Sequence, residues 1–301
     1  MRRATCCWFA LVACVAACVF PGVSSGKGPE DAINGIGLID FGAKPTFKVG
    51  DWARYHVSGR SERGESEEYD VTLMIGGEEQ WWGEDCFWIE TWTVADTTFS
   101  QSIASLMSYE IFSDTSAFAN MQLYVRKLIN GVDEDGNADQ VVFKRPSSGL
   151  RTRSLPNRGF LVKIDTLGIE SVTVPKGTYE CRKVSSTEGR GATGAFADST
   201  DYTELREVRT TYVNRQIPIT HIVLEDTRQA FTRKAWKVGY SKDAKPTVTL
   251  NSSTAIAKLI DFGSGLEAHM VPKRLRKSIA EQRAETAKPR TPPRPAAKKT
   301  G

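Results

Sequence analysis

Histidine is scarce in this chain: only His56, His221 and His269 occur among 301 residues. No HExxH, HxxxH or CxxC spacing builds a zinc-ligand set from them or from the cysteines. Gly263-Ser264-Gly265, preceded by Phe262, falls short of the GxSxG elbow that presents a serine nucleophile. The glycines of Gly189 to Gly194 (GRGATG) are not followed by the Lys-Ser/Thr and helix that cradle a phosphate. Solvation of a strand end explains the adjacent acids Glu225 and Asp226 more simply than acid–base work does. The chain therefore reads as a non-enzyme. The outlying alternative is a hydrolase whose site is not visible in sequence.

Long apolar runs are missing too. The longest extends from about Trp8 to Phe20, short of the roughly 20 residues that span a bilayer. Arg2 and Arg3 precede it, and Pro21 and the small residues Val23, Ser24 and Ser25 follow, so residues 1–25 read as a secretory signal cleaved after Ser25. Leu11-Val12-Ala13-Cys14 and Val15-Ala16-Ala17-Cys18 resemble a bacterial lipobox, which makes Cys18 a candidate for lipidation. Either route exports the chain to the periplasm or outer envelope, soluble or lipid-tethered. Cysteine is then nearly exhausted: Cys6, Cys7, Cys14 and Cys18 lie in the signal, and only Cys86 and Cys181 remain. In an oxidising compartment two such thiols are expected to pair, closing a loop worth about 4–5 kcal/mol in the chain-entropy model. Two separate buried thiols are the alternative.

Net charge is small and unevenly placed. The formal +4 hides ten Lys or Arg against two acids in the last 31 residues; without that tail and the signal, 28 bases face 34 acids. A mildly acidic body disfavours nucleic acid as a partner. The tail, PRTPPRPAAKKTG at its end, lacks an apolar face and is expected to be largely disordered, read as a solubilising appendage, with contact to an anionic envelope surface as the alternative.

What is present is a succession of alternating runs and tight turns. In Val172 to Val184 (VTVPKGTYECRKV), Pro175 presets a turn between two strands, and Cys181 shares a face with Tyr179. Ala53, Tyr55 and Val57 share one face of a strand, as do Tyr69, Val71, Leu73 and Ile75 of the next, which Gly76-Gly77 is expected to close. A third strand, Cys86 to Val94, sets Trp88 and Trp92 on one face with Glu90 between them. Phe99, Ile103, Leu106 and Met107 repeat at helical spacing, so a helix is expected over Thr98 to Tyr109. Further strands are expected at Met121 to Ile129, Gln140 to Phe143, Phe160 to Asp165, Glu170 to Val174, Thr178 to Ser186, Thr203 to Val213, Pro218 to Glu225 and Phe231 to Gly239. A Gly/Ala/Ser loop is expected at Gly189 to Ser199, and a basic helix within Val271 to Lys288. The fold class that follows is mainly β: a curved antiparallel sheet or incomplete β-barrel with one or two helices packed against it. Its layout is a signal at 1–25, a lead-in at 26–45, the β domain at 46–265 and the basic, Pro-rich tail at 266–301.

Three places carry a resemblance. Phe47 to Tyr55 (FKVGDWARY) with Ile75 to Glu90 (IGGEEQWWGEDCFWIE), then VTVPKGTYECRKV, then Tyr212 to Glu225 (YVNRQIPITHIVLE) with Trp236 to Tyr240 (WKVGY), resemble bacterial envelope proteins of unknown function whose fold is similar to the outer-membrane lipoprotein carriers. The resemblance implies an incomplete antiparallel barrel wrapped on a helix, enclosing an apolar cavity suited to acyl chains. The Trp-rich third strand, the acidic loop and the basic tail depart from that group.

Two constellations are candidate sites. Trp52, Tyr55, Trp88, Trp92 and Trp236 are candidate walls for a hydrophobic or lipid-like ligand in the concave face of the sheet. Asp133, Asp135, Asn137 and Asp139 alternate around a glycine turn as calcium ligands do, although a polar hairpin end at Asp135-Gly136 explains the same residues. No other cofactor is expected. The sequence thus points to an exported, non-enzymatic ligand-binding protein, with a structural or interaction module of the envelope as the alternative.

Overall fold

The computed structural model describes residues 45–62, 64, 66–95, 99–113, 124–132, 138–143, 161–195, 199–237 and 245–287. Among them, eleven strands form one antiparallel sheet. They are β1 (Trp52–Ser61), β2 (Ser66–Trp81), β3 (Glu84–Ala95), β4 (Phe99–Ser108), β5 (Val125–Val132), β6 (Ala138–Val142), β7 (Leu161–Val174), β8 (Gly177–Ala195), β9 (Ser199–Val213), β10 (Ile222–Lys237) and β11 (Thr247–Gly263). The order is β6-β5-β4-β3-β2-β1-β11-β10-β9-β8-β7. Two meanders thus meet where β1 pairs with β11, with Val57 opposite Ala257 and Tyr55 opposite Leu259. The sheet is open, with β6 and β7 as its ends. One α-helix, α1 (Ile279–Ala287), follows a 3-10 turn at Lys273–Leu275; another 3-10 turn lies at Tyr109–Ser113.

Alternation in β1, β2 and β3 sorts side chains onto two faces. Ala53, Tyr55, Val57, Tyr69, Val71, Leu73, Ile75, Phe87 and Ile89 belong to one buried cluster; Met74, Cys86 and Trp88 belong to a second. We call these the Tyr55 face and the Trp88 face. On the Tyr55 face the core is closed by Phe47, just before β1, and by Tyr109, Ile111 and Phe112, with the Phe47 and Phe87 ring centroids 5.1 Å apart. Full burial, as at Phe87 and Ile111, contributes about 1.5–3 kcal/mol for each side chain, and the partly buried rings add less. On the Trp88 face, Ala268, Met270 and Val271 supply the cover.

This two-sided burial accounts for the main departure from the sequence reading. Residues 99–108 form β4 rather than a helix. Ile103 and Met107 enter the Tyr55 cluster, while Ala104 and Leu106 enter the Trp88 cluster. A strand buried on both faces has apolar residues at both parities, and such a run mimics helical spacing. β11 was absent from the expected strands for a related reason: Ala255, Ala257 and Leu259 are buried while Val248 and Leu250 on the opposite parity are exposed, so no simple alternation marks it.

Glycine misled twice. Gly76-Gly77 does not close β2; the register shifts between Ile75 and Gly77 and the strand continues to Trp81. A Cβ on Gly77 would stand 2.0 Å from the Leu275 carbonyl oxygen, so the pair permits close approach of backbone rather than ending the strand. Gly189 to Ala195, expected in a loop, extend β8 and pair with β9; 196–198 lie outside the described residues. Gly168, at φ +113°, marks a bulge that joins the two runs expected on either side into the single strand β7. The Pro175-Lys176 turn is as the sequence implies, with Val174 opposite Gly177. Pro218 to Thr220 form a turn before β10, which then runs unbroken through Phe231 to Lys237.

The segment assigned to a disordered tail is in part built into the fold. Ala268, Met270, Val271 and Ile279 are buried, and α1 is much shorter than the helix envisaged over Val271 to Lys288. Ser278 and Glu281 form a capping box at its start: Ser278 Oγ accepts the Glu281 amide at 3.2 Å, and Glu281 Oε2 accepts the Ser278 amide at 2.8 Å. The expected signal, Cys18 and residues 288–301 lie outside the described residues.

Candidate functional site

The five aromatic residues singled out from sequence do not converge. Tyr55 is fully buried on its own face, its hydroxyl donating to the Ile222 carbonyl at 2.9 Å and bonding the Thr220 hydroxyl. Burial pushes that hydroxyl's pKa well above the usual tyrosine value. Trp88 lies on the opposite face with Trp52 and Trp92 packed around the same cluster. Trp236 stands opposite Thr200 toward the end of β10, outside both clusters. Strand parity separates Tyr55 from the tryptophans, since residues an odd number apart on one strand face opposite ways.

The tryptophan cluster is sealed by the chain itself. Glu90, 0% exposed, lies between Trp88 and Trp92 and accepts three backbone amides: His269 on Oε2 at 2.9 Å, and Met270 and Val271 on Oε1, each at 2.7 Å. A buried carboxylate is tolerated because those donors replace its water. The strap so anchored lays Ala268, Met270 and Val271 over the cluster, and the His269 ring meets Trp92 edge-on at 5.5 Å. Beside it, Trp88 Nε1 donates to Glu79 Oε2 at 3.2 Å and Lys127 bonds Glu79 Oε1 at 2.6 Å, while Arg126 pairs with Glu84 at 2.7 Å. A register shift between Leu106 and Met107 makes Arg126 an extra residue in β5, which lets Arg126 and Lys127 both reach the β2–β3 hairpin.

The expected disulfide is not formed. Cys86 and Cys181 are free buried thiols, one in the Trp88 cluster and the other in the Tyr55 cluster. Burial pushes the Cys86 thiol up to about 12 and the Cys181 thiol up to about 11. The sequence shows two candidates for pairing; it does not show that they pack in different clusters.

The Tyr55 face changes character across β9, β10 and β11. Glu225, Thr227 and Gln229 stand opposite Thr211, Arg209 and Glu207. Arg209 Nη2 lies 2.7 Å from Glu207 Oε1, and its Nε lies 3.7 Å from Glu225 Oε1. Thr211 donates to Glu225 Oε2 at 3.2 Å and Gln229 donates to Glu207 Oε2 at 3.1 Å. Burial raises the Glu225 pKa, and the neighbouring Arg209 charge pulls against that rise. Small residues adjoin the network: Ala257 and Ala255 stand opposite Glu225 and Thr227, and Gly59 of β1 stands opposite Ala255. Toward β7, Ile164, opposite Ser186 and 66% exposed, lies in line with Arg209, while Val172 and Val174 of β7 and Cys181 of β8 pack in the Tyr55 cluster. Sequence reading missed this network. Its signal is the polar alternation of Glu207, Arg209, Thr211 and of Glu225, Thr227, Gln229, which becomes a cluster only once the strands are in register.

The other sequence candidates separate. Glu225 and Asp226 project from opposite faces, and Asp226 pairs with Arg228 at 3.4 Å. His56 Nδ1 lies 3.0 Å from Asp70 Oδ1, and His221 Nε2 lies 3.0 Å from the Thr46 hydroxyl. Asp133, Asp135 and Asn137 lie outside the described residues and Asp139 falls in β6. Among the described residues, no group of three or more His, Cys, Asp or Glu is placed to hold a metal.

No protein-family model matches the chain, and no curated protein matches it. Among solved structures, it is similar to a Bacteroides fragilis protein described as a candidate exported protein with a YmcC-like fold. The identity is 9%, coverage is 72% of this chain and 97% of that one, and the TM-score is 0.31. It is also similar to a candidate lipoprotein of Parabacteroides distasonis, at 12% identity, coverage of 75% and 99%, and TM-score 0.29. A LolA superfamily protein of Nitrosomonas europaea follows at 7% identity, coverage of 77% and 93%, and TM-score 0.24.

Proposed function

We propose that this is a non-catalytic, exported envelope protein that holds a hydrophobic, lipid-like molecule against the Tyr55 face, across β8 to β11. One contrast supports the reading. Over β1 to β4 that face is filled by the chain's own Phe47, Phe87, Tyr109 and Phe112. Over β8 to β11 it carries small residues around a guanidinium set between two carboxylates, with the exposed Ile164 of β7 in line with it. Apolar walls with a few fixed polar groups suit an amphiphile, whose head bonds and whose tail needs only dry surface. The tryptophan face is a poorer candidate because the strap at 268–271 already occupies it. Export follows from the charged, short-apolar, small-residue pattern at the N-terminus.

The test is native mass spectrometry and solvent extraction of the purified chain, followed by titration with a fluorescent fatty acid. A released amphiphile, and probe binding weakened by Ser186→Trp and Ile164→Asp with the fold intact by circular dichroism, supports the reading. A chain that yields no amphiphile and binds no probe refutes it.

A further inference from the structure

Among the described residues β7 is the last strand of the sheet, and its residues 163–171 are mostly exposed, with Ile164, Leu167 and Ile169 among the largest exposed apolar side chains. A long apolar edge strand is a template for pairing, and proteins normally shorten or cover it. The bulge decides what this edge fits. Ile164 stands opposite Ser186 and Ile169 opposite Arg182; Lys163 stands opposite Thr187 and Glu170 opposite Cys181. Ser186 and Arg182 are four residues apart on a regular strand and share a face, so Ile164 and Ile169 share one as well, although they are five apart. Lys163 and Glu170 share the other face by the same reasoning. The extra residue that makes this so is Leu167, at the register shift between Thr166 and Gly168.

We propose that β7 pairs antiparallel with β7 of a second copy of this chain, about a two-fold axis passing beside Leu167. Residues directly opposite in an antiparallel pair must lie on the same face. One axis at the bulge satisfies this for both pairs at once: Ile164 meets the second copy's Ile169, and Lys163 meets its Glu170. Each contact occurs twice, as an isologous interface requires. Without the bulge, residues at these odd separations would point to opposite faces and the axis would pair nothing. Among the described residues Lys163 pairs with Asp165 at 2.7 Å and Glu170 with Lys183 at 2.9 Å, in exposed pairs that leave room for a further partner. The product is a continuous sheet of two copies, with an isoleucine strip from both lying on one face. The pairing does not depend on ligand binding.

Sedimentation velocity of the full chain, from low to high micromolar concentration, tests it. The wild type is expected to pass from monomer to dimer. Lys163→Glu and Glu170→Lys, each placing like charges opposite one another twice, are expected to weaken the dimer about tenfold. An equimolar mixture of those two variants is expected to recover it as a heterodimer, because Glu at 163 of one then faces Lys at 170 of the other. Leu167→Cys, at the axis, is expected to give a disulfide-linked dimer on a non-reducing gel. A wild type that stays monomeric throughout, or a dimer unchanged by Ile164→Lys with Ile169→Lys, overturns the proposal.

Discussion

The Val271 amide and the Glu90 carboxylate lie 2.7 Å apart at a point where neither residue reaches solvent. That bond, with those from His269 and Met270, fixes the strap on the tryptophan face. Glu90→Ala would strand the buried Met270 and Val271 amides and release that of the more exposed His269. At about 1–3 kcal/mol for each buried donor left unpaired, a loss of about 2 kcal/mol or more is expected in chemical denaturation. Amide exchange at 269–271 should rise with it. Unchanged exchange there would show that the carboxylate does not hold the strap.

Gly77 tests the same contact from the sheet side. A Cβ there meets the backbone oxygen of Leu275, which cannot swing aside as a side-chain tip can. Gly77→Ala is expected to destabilise by about 1–3 kcal/mol, the usual range for overpacking. Gly76→Ala meets the Val271 side chain at 2.8 Å and is expected to cost less. Thermal melting of the two variants side by side gives the order.

Cys86 and Cys181 are expected to be recovered as separately alkylated peptides after denaturation without reductant. In the native state both should react slowly near neutral pH, because thiols displaced to about 12 and about 11 hold little thiolate there. Replacing both by Ala should cost only local packing, not the about 4–5 kcal/mol of a lost long-range cross-link. A single disulfide-joined peptide in the mass map would contradict the separation of the two clusters.

Glu225 predicts a pH dependence. Its folded pKa lies above the ordinary value of 4.5, so the folded state holds that proton more tightly than the unfolded chain does. The stability this contributes is complete below about 4.5 and is lost as pH rises through the folded value. Denaturation midpoints of wild type and Glu225→Gln should therefore diverge with rising pH, the variant losing less. Arg209→Met should destabilise at neutral pH, since it leaves the buried Glu207 and Glu225 without the part-buried charge between them. Equal pH profiles for wild type and Glu225→Gln would remove Glu225 from this account.

Much of the first meander was legible from residues alone, because Ala53, Tyr55 and Val57 alternate with polar neighbours and a single face decides their placement. β4 was not legible. Its environment is set by what lies on both sides, and periodicity reports only how many faces are apolar. The tryptophans could be counted but not pointed: Trp52 and Tyr55 are three residues apart and end on opposite faces. The polar network was hidden for a different reason. Glu207 and Gln229 are far apart in sequence and become partners only through the β9–β10 register.

Local chemistry fixed the strand-rich character, the Pro175-Lys176 turn and the export signature, since alternation, ring-constrained φ and short-range charge patterns act within a few residues. Folding decided the pairing of β1 with β11, the separation of the two thiols, the strap over Trp88 and the guanidinium between two carboxylates. Each depends on which distant segments share a face, and that is settled by burying apolar area across the whole sheet at once.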